Sequence, residues 1–147
     1  MRIVVDANIL VAEVLRARGQ AVLTSPRLKL YVTERAWAET AHEVRKRAAI
    51  IEQQGRIAAG TGEALATAAI TAIMTHVRQV PATAYGAHEA EARRRIPRDS
   101  DDWPTVAAAL ALDAAIWTRD NDFLGCGLPT WTTETLLAYL QAMDGVT

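Results

Sequence analysis

Cysteine is nearly absent. Cys126 is the only one in 147 residues, so no disulfide can form within the chain. A lone thiol suits a reducing compartment, and the cytoplasm is the expected location. Long apolar runs are also missing. None approaches the roughly 18 residues of a membrane helix, so no membrane role is expected. No signal peptide is expected either, because Arg2 is followed by only three apolar residues before Asp6. The pattern Gly-x4-Gly-Lys does not occur, which excludes a phosphate-binding P-loop. His42, His76 and His88 show no ligand-pair spacing, which argues against zinc. Asp120 to Gly125 opens like a calcium loop. It fails where a bidentate Glu is required, because that place holds Trp131. A phosphatase-type Asp-x-Asp pair fails as well, since Asn8 stands at its second position.

Overall charge is small, at −1, so the chain is not a generally basic nucleic-acid binder. Its distribution is uneven. Residues 1–98 carry 15 Lys/Arg and 9 Asp/Glu, whereas residues 99–147 carry one Arg and 8 Asp/Glu. The late acids therefore lack local cationic partners. They are either solvated or neutralised from outside. The composition is otherwise that of a globular domain, 50% hydrophobic and 22% charged, and the length suits a single domain over 1–147.

Hydrophobic periodicity alternates between two kinds. Arg-Ile-Val-Val (2–5), Leu-Lys-Leu-Tyr-Val (28–32), Val-Arg-Gln-Val (77–80), Ala-Ala-Ile-Trp-Thr (114–118) and Thr-Trp-Thr (130–132) read as short strands. Between them lie helical patterns: 7–19 with Gly19 as C-cap, 33–54 after Thr33, 63–76, 83–95, a buried alanine-rich helix from Asp102 to Asp113, and a last helix capped by Thr132 or Thr133. This order predicts an α/β domain with a mainly parallel central sheet of four to five strands. Sites in such sheets form at the carboxyl ends of the strands. Asp6 ends the first strand, Asp120 and Asp122 follow the fourth, and Asp102 opens the helix that leads into the fourth. Clustered carboxylates without a histidine or cysteine set are a hard-oxygen site, suited to Mg2+ or Mn2+. The alternative is that most of these acids are helix caps and solvated loop residues.

Val-Val-Asp-Ala-Asn-Ile-Leu (4–10), Thr-Glu-Arg-Ala-Trp-Ala-Glu (33–39), the run from Asp99 to Leu112, and Ile-Trp-Thr-Arg-Asp-Asn-Asp-Phe (116–123) together resemble the PIN domain. They look most like PIN-domain ribonuclease toxins of type II toxin–antitoxin pairs (VapC-like). The resemblance runs in order along nearly the whole chain, with little signal from 53 to 95. It implies a three-layer α/β/α sandwich and metal-dependent endoribonuclease activity. It also implies a small antitoxin partner and a homodimer. Carried over residue by residue, it implies Asp6, Glu39, Asp102 and Asp120 as catalytic metal ligands for Mg2+ or Mn2+. The family's spacing before the Thr of its T-x-D element selects Asp102, sixteen residues ahead of Thr118, over Asp99 and Asp101.

Secondary candidates carry alternatives. Asn8 either orients a carboxylate or makes a local turn. Periodicity puts Glu39 and Glu43 on a solvated face, and only the resemblance prefers Glu39. Asp99 is an outer ligand or a water-holding group, and Asp122 is a ligand or a loop residue. Thr118 binds a metal-held water or phosphate, or simply ends its strand. Arg93, Arg94, Arg95 and Arg98 are a solvated charge run or an RNA-phosphate contact. Two other functions stay open: a PIN-like binding module with little catalysis, and a nuclease acting on DNA or structured nucleic acid.

Overall fold

The computed structural model describes residues 1–145. Five strands form one sheet: β1 (Arg2–Val5), β2 (Lys29–Thr33), β3 (Val77–Val80), β4 (Ala115–Trp117) and β5 (Thr130–Trp131). Their spatial order is β3-β2-β1-β4-β5, and every neighbouring pair is parallel. β1, in the middle, is buried from Ile3 to Val5, which explains its unbroken β-branched run. The eight helices among the described residues are α1 (Ala7–Glu13), α2 (Ala17–Leu23), α3 (Glu34–Gln53), α4 (Gly62–His76), α5 (Ala82–Tyr85), α6 (Glu89–Arg95), α7 (Trp103–Leu112) and α8 (Thr133–Asp144).

The sheet separates two cores, as a three-layer α/β/α sandwich requires. On one face Ile3, Val5, Leu30, Val32 and Trp117 pack with Ile9, Val44, Ile73 and Leu136 from the helices. On the other, Val4, Val80 and Ile116 pack with Ala92, Val106 and Ala108 of α6 and α7. Ala107, Ala108 and Ala109 are fully buried, so α7 approaches the sheet more closely than bulky side chains would allow. Enlarging one of them would overpack the core at about 1–3 kcal/mol. The Trp117 indole donates to Thr133 Oγ1 at 3.1 Å and pins the start of α8. Thr132 caps α8 in a capping box with Thr135.

One expected element differs. The pattern over 7–19 predicts a single helix with Gly19 at its end, but the chain breaks after Glu13 and Gly19 lies inside α2. The cause is a carboxylate drawn inward. Glu13 is fully buried and accepts both fork hydrogen bonds of Arg18, at 3.0 and 2.7 Å. The chain must turn back to deliver that guanidinium, which also donates to Glu134 on α8 at 2.9 Å. Gly19 permits the turn, because a Cβ there would lie 2.1 Å from the Glu13 carbonyl oxygen. The segment 83–95 is likewise interrupted, by a 3-10 turn at Gly86–His88.

Candidate active site

At the carboxyl end of β1 the chain must leave the sheet, and Asp6 serves that exit. Its backbone N–H continues the β1–β4 pairing by donating to Trp117 O at 3.0 Å. Its Oδ1 accepts from Asn8 N at 3.4 Å and caps α1. Its Oδ2 accepts from the Thr118 hydroxyl at 2.9 Å. Asp6 is thus both a cap and a wall of the cleft. Thr118 does more than end a strand: the same hydroxyl accepts from Asp120 N at 3.0 Å. One side chain therefore ties the ends of β1 and β4 together and fixes the spacing of two acids. Asp120 Oδ1 in turn accepts from Asp122 N at 2.9 Å, closing a short turn at Asn121–Phe123.

The other acids arrive on helices. Thr33 caps α3 by accepting from Ala36 N at 3.1 Å. Ala36, Thr40, Val44 and Ala48 form the buried stripe of α3, leaving Glu39 exposed beside the sheet edge. Asp6, Glu39 and Asp102 line one cleft of about 100 Å³ with Thr33, Arg35 and Thr105. Glu43, one turn further along α3, is exposed and does not line it. Asp102 stands where an N-cap of α7 would, yet its side chain makes no capping bond. Pro104 in the first turn already spares α7 one donor, so the Asp102 carboxyl is left to the cleft.

The charges are poorly matched. Burial, joined by the charges of Asp99, Asp6 and Asp120, pushes the Asp102 carboxyl up to about 6. A hydrogen bond between the protonated Asp102 carboxyl and Asp99 contributes to the same rise. Asp6 is also raised, by burial first. Thr118 and Asn8 oppose the rise, and Asp120 and Glu39 add to it. Asp99 is therefore a neighbour that raises Asp102, whereas Asp101 is exposed, lies 3.6 Å from Arg93 and also lines the cleft. Among the described residues no three acidic, histidine or cysteine side chains converge into a ready metal cage. The donor set nonetheless fits a hard divalent cation, because Mg2+ keeps several waters and needs only one or two carboxylates. A cation would also relieve the mutual repulsion that raises Asp102 and Asp6.

The arginine run occupies local structure. Arg93 contacts Glu89 at 3.1 Å and the Ser100 carbonyl at 3.3 Å, and stacks over Trp103 at 5.6 Å. Arg95 joins Glu91 to the Cys126 carbonyl, each at 2.9 Å. Arg94 pairs with Glu91, and Arg98 lies 3.6 Å from Asp122. The guanidinium that does line the acidic cleft is Arg35, and the sequence reading passed over it. It has no carboxylate within 4.0 Å among the described residues. Its signal was its place in the first turn of α3, four residues before Glu39 and so on the same side of the helix.

The family model of the PIN domain matches residues 4–141. The chain belongs to the PIN-domain family. That membership points to a nuclease-type hydrolase. No curated protein matches closely enough to count as a relative. Solved structures that share the fold of this PIN domain include three toxin–antitoxin or Fit-type assemblies. One, described as a toxin–antitoxin complex from Klebsiella pneumoniae, has a TM-score of 0.58 at 19% identity, covering 88% of this chain and 96% of that one. A second, of FitAB bound to IR36 DNA fragment, has a TM-score of 0.57 at 18% identity, covering 89% and 94%. The third, of FitAcB from Neisseria gonorrhoeae, has a TM-score of 0.55 at 19% identity, covering 90% and 98%. No helix among the described residues is long and apolar enough to cross a membrane.

Proposed function

We propose that this PIN domain is an Mg2+- or Mn2+-dependent endoribonuclease that hydrolyses RNA phosphodiester bonds and acts as the toxin of a toxin–antitoxin pair. The observation that carries the proposal is the cleft itself. Asp6, Glu39 and Asp102 line it, and Asp120 is close enough to raise two of them. Asp6, Glu39, Asp102 and Asp120 would hold the cation. A divalent ion there lowers the pKa of a bound water and neutralises charge on the phosphodiester. Thr118 holds Asp6 and Asp120 in register, and its hydroxyl is occupied by that task. Burial and neighbouring charge hold the Asp102 carboxyl above the usual carboxylate range, and a cation held there would oppose that rise.

Arg35 is assigned to a non-bridging phosphate oxygen, since its fork offers paired donors in a cleft whose other charged lining residues are all acids. Arg94 and Arg98, with side chains 74% and 66% exposed, have the reach to meet RNA beside the cleft. Arg93 and Arg95 mainly hold the loops around Ser100 and Cys126. An antitoxin partner is supported by the toxin–antitoxin complex among the structures of like fold. The proposal also takes the chain as one domain, active as a homodimer in the cytoplasm, where the buried free Cys126 stays reduced.

The test is direct. Purified protein, stripped of any bound partner, is given single-stranded RNA, structured RNA and DNA with Mg2+, with Mn2+ or with EDTA. Metal-dependent cleavage of RNA is expected. Failure to cleave RNA with either metal would refute ribonuclease activity, and preferential cleavage of DNA would replace the substrate.

A further inference from the structure

At the opposite end of the sheet the charge reverses. Arg2 of β1 and Lys29 of β2 are direct partners in the parallel register. Next to them, β2 and β3 pair Leu30 with Val77 and Tyr31 with Arg78. Strand alternation puts Arg2 on the side of Val4, Lys29 on the side of Tyr31, and Arg78 on the side of Val80. Val4, Tyr31 and Val80 all belong to the core beneath α7. The three cations thus share one face, on adjacent strands spaced about 4.8 Å apart. All three are exposed, and none has a carboxylate within 4.0 Å among the described residues. Like charges set opposite one another in a sheet are unfavourable unless something neutralises them.

Two grooves run along this edge and share Lys29. The larger, about 580 Å³, is lined by Arg2, Lys29, Asp113, Leu128, Pro129 and Trp131. The smaller, about 240 Å³, is lined by Lys29, Tyr31, His76 and Arg78. Asp113 is the one acid in either groove.

We infer that the N-terminal edge of the sheet is a second nucleic-acid contact, binding the phosphate backbone of single-stranded RNA across Arg2, Lys29 and Arg78. Cations interleaved with aromatic side chains are the pattern of single-strand binding, because every base offers a face for stacking. Tyr31, on the same face and lining the smaller groove with Lys29 and Arg78, supplies the aromatic position, whereas Trp131 packs on Tyr139 in the other core. An acidic peptide would use the charge and leave the ring idle. The strands are only four or five residues long, so the edge lies about 13–17 Å from the acidic cleft along the strand direction. An RNA strand long enough to round one side of the domain could touch both. The inference rests on the nuclease assignment only for the reason RNA arrives, and not for the binding itself.

The experiment separates the two. Fluorescence anisotropy of a labelled oligouridylate of about 12 nucleotides is measured in EDTA, so that no cleavage is needed. The combined variant Arg2→Gln, Lys29→Gln, Arg78→Gln is compared with a charge-matched control, Arg45→Gln, Lys46→Gln, Arg47→Gln on the exposed side of α3. Circular dichroism verifies that both are folded. Losing three phosphate contacts should flatten the slope of log affinity against log salt by about 2, with roughly tenfold or more weaker binding at low salt. The control should stay within about twofold. An unchanged slope overturns the inference, and so does an equal loss in the control, which would reduce the effect to net charge. Displacement of the RNA by polyglutamate as readily as by unlabelled RNA also overturns it, in favour of an acidic protein partner. A wild-type protein that binds RNA through this edge but cleaves nothing would leave the inference standing and end the ribonuclease proposal.

Discussion

The two ends of one small sheet carry opposite unbalanced charge. At the carboxyl edge, burial raises the proton affinity of Asp6 and Asp102, and the charge of Asp120 adds to both. At the amino edge, Arg2 and Lys29 sit in register without an ion-pair partner among the described residues. Elsewhere the chain neutralises charge with care, and the fully buried Glu13 receives a bidentate guanidinium. The unmatched edges are therefore exceptions. Surface charge costs little in water, but carboxylates that are partly buried beside one another cost more. The acidic edge is the strained end and the basic edge the relaxed one. A small hard cation suits the first, and an extended anion suits the second.

The sharpest way to break the comparison is to remove the acid on which the carboxyl edge converges. Asp6→Asn should lower RNA cleavage by more than the roughly 10–100-fold typical of residues that only orient a ligand. Circular dichroism should remain that of the wild type, since Asn also caps helices. Normal kcat in this variant would remove Asp6 from the site. A comparable effect on stability is expected from Glu13→Ala, which strands Arg18 with only the exposed Glu134. Losing hydrogen bonds to a charged group costs about 1.5–3 kcal/mol, and urea unfolding would measure it. Cleavage per folded molecule should not change, because Glu13 lies at the far end of α1 from Asp6. Thr118→Val comes next. It keeps the shape but deletes the hydroxyl between Asp6 and Asp120, and a 10–100-fold fall in kcat with little change in KM is expected.

Much of this was legible before any coordinates. Unbroken apolar runs ending in acids identified β1 and β4, and the alternation of elements implied a parallel sheet with its site at the carboxyl edge. All five strand segments appear where the periodicity put them, because short buried strands bounded by Gly, Pro or Asp have few alternatives. What stayed hidden depends on tertiary contact. Glu13 reads as one more polar residue on a helix, and only packing shows it buried and turning the chain back to Arg18. Periodicity could not separate Glu39 from Glu43, since both lie away from the apolar stripe. The cleft wall distinguishes them. Charge was hardest to read where it was most conspicuous. The run Arg93, Arg94, Arg95 and Arg98 is engaged by local acids and carbonyls. Arg2, Lys29 and Arg78, scattered over 76 positions of sequence, are gathered by strand register.

The smallest expected effect tests whether the carboxyl edge is strained at all. The folded-state pKa of Asp102 is raised from an ordinary 3.8 to about 6, so the folded protein holds this proton more tightly than the unfolded chain does. For an acid shifted upward, the cost to stability is absent below about pH 4, grows between 4 and 6, and is complete above 6. A shift of that size, discounted for a half-exposed carboxyl, corresponds to about 1 kcal/mol. Asp102→Asn should therefore raise the melting temperature of metal-free protein by about 3 °C at pH 7. At pH 4 the two proteins should melt together. Saturating Mg2+ should then reverse the ranking at pH 7, because only the wild type recovers the cation's binding energy at that carboxylate. If the variant melts at or below the wild type in EDTA at pH 7, the carboxylates are simply solvated. The contrast between a strained edge and a relaxed one then fails at the residue where it is most exposed to test.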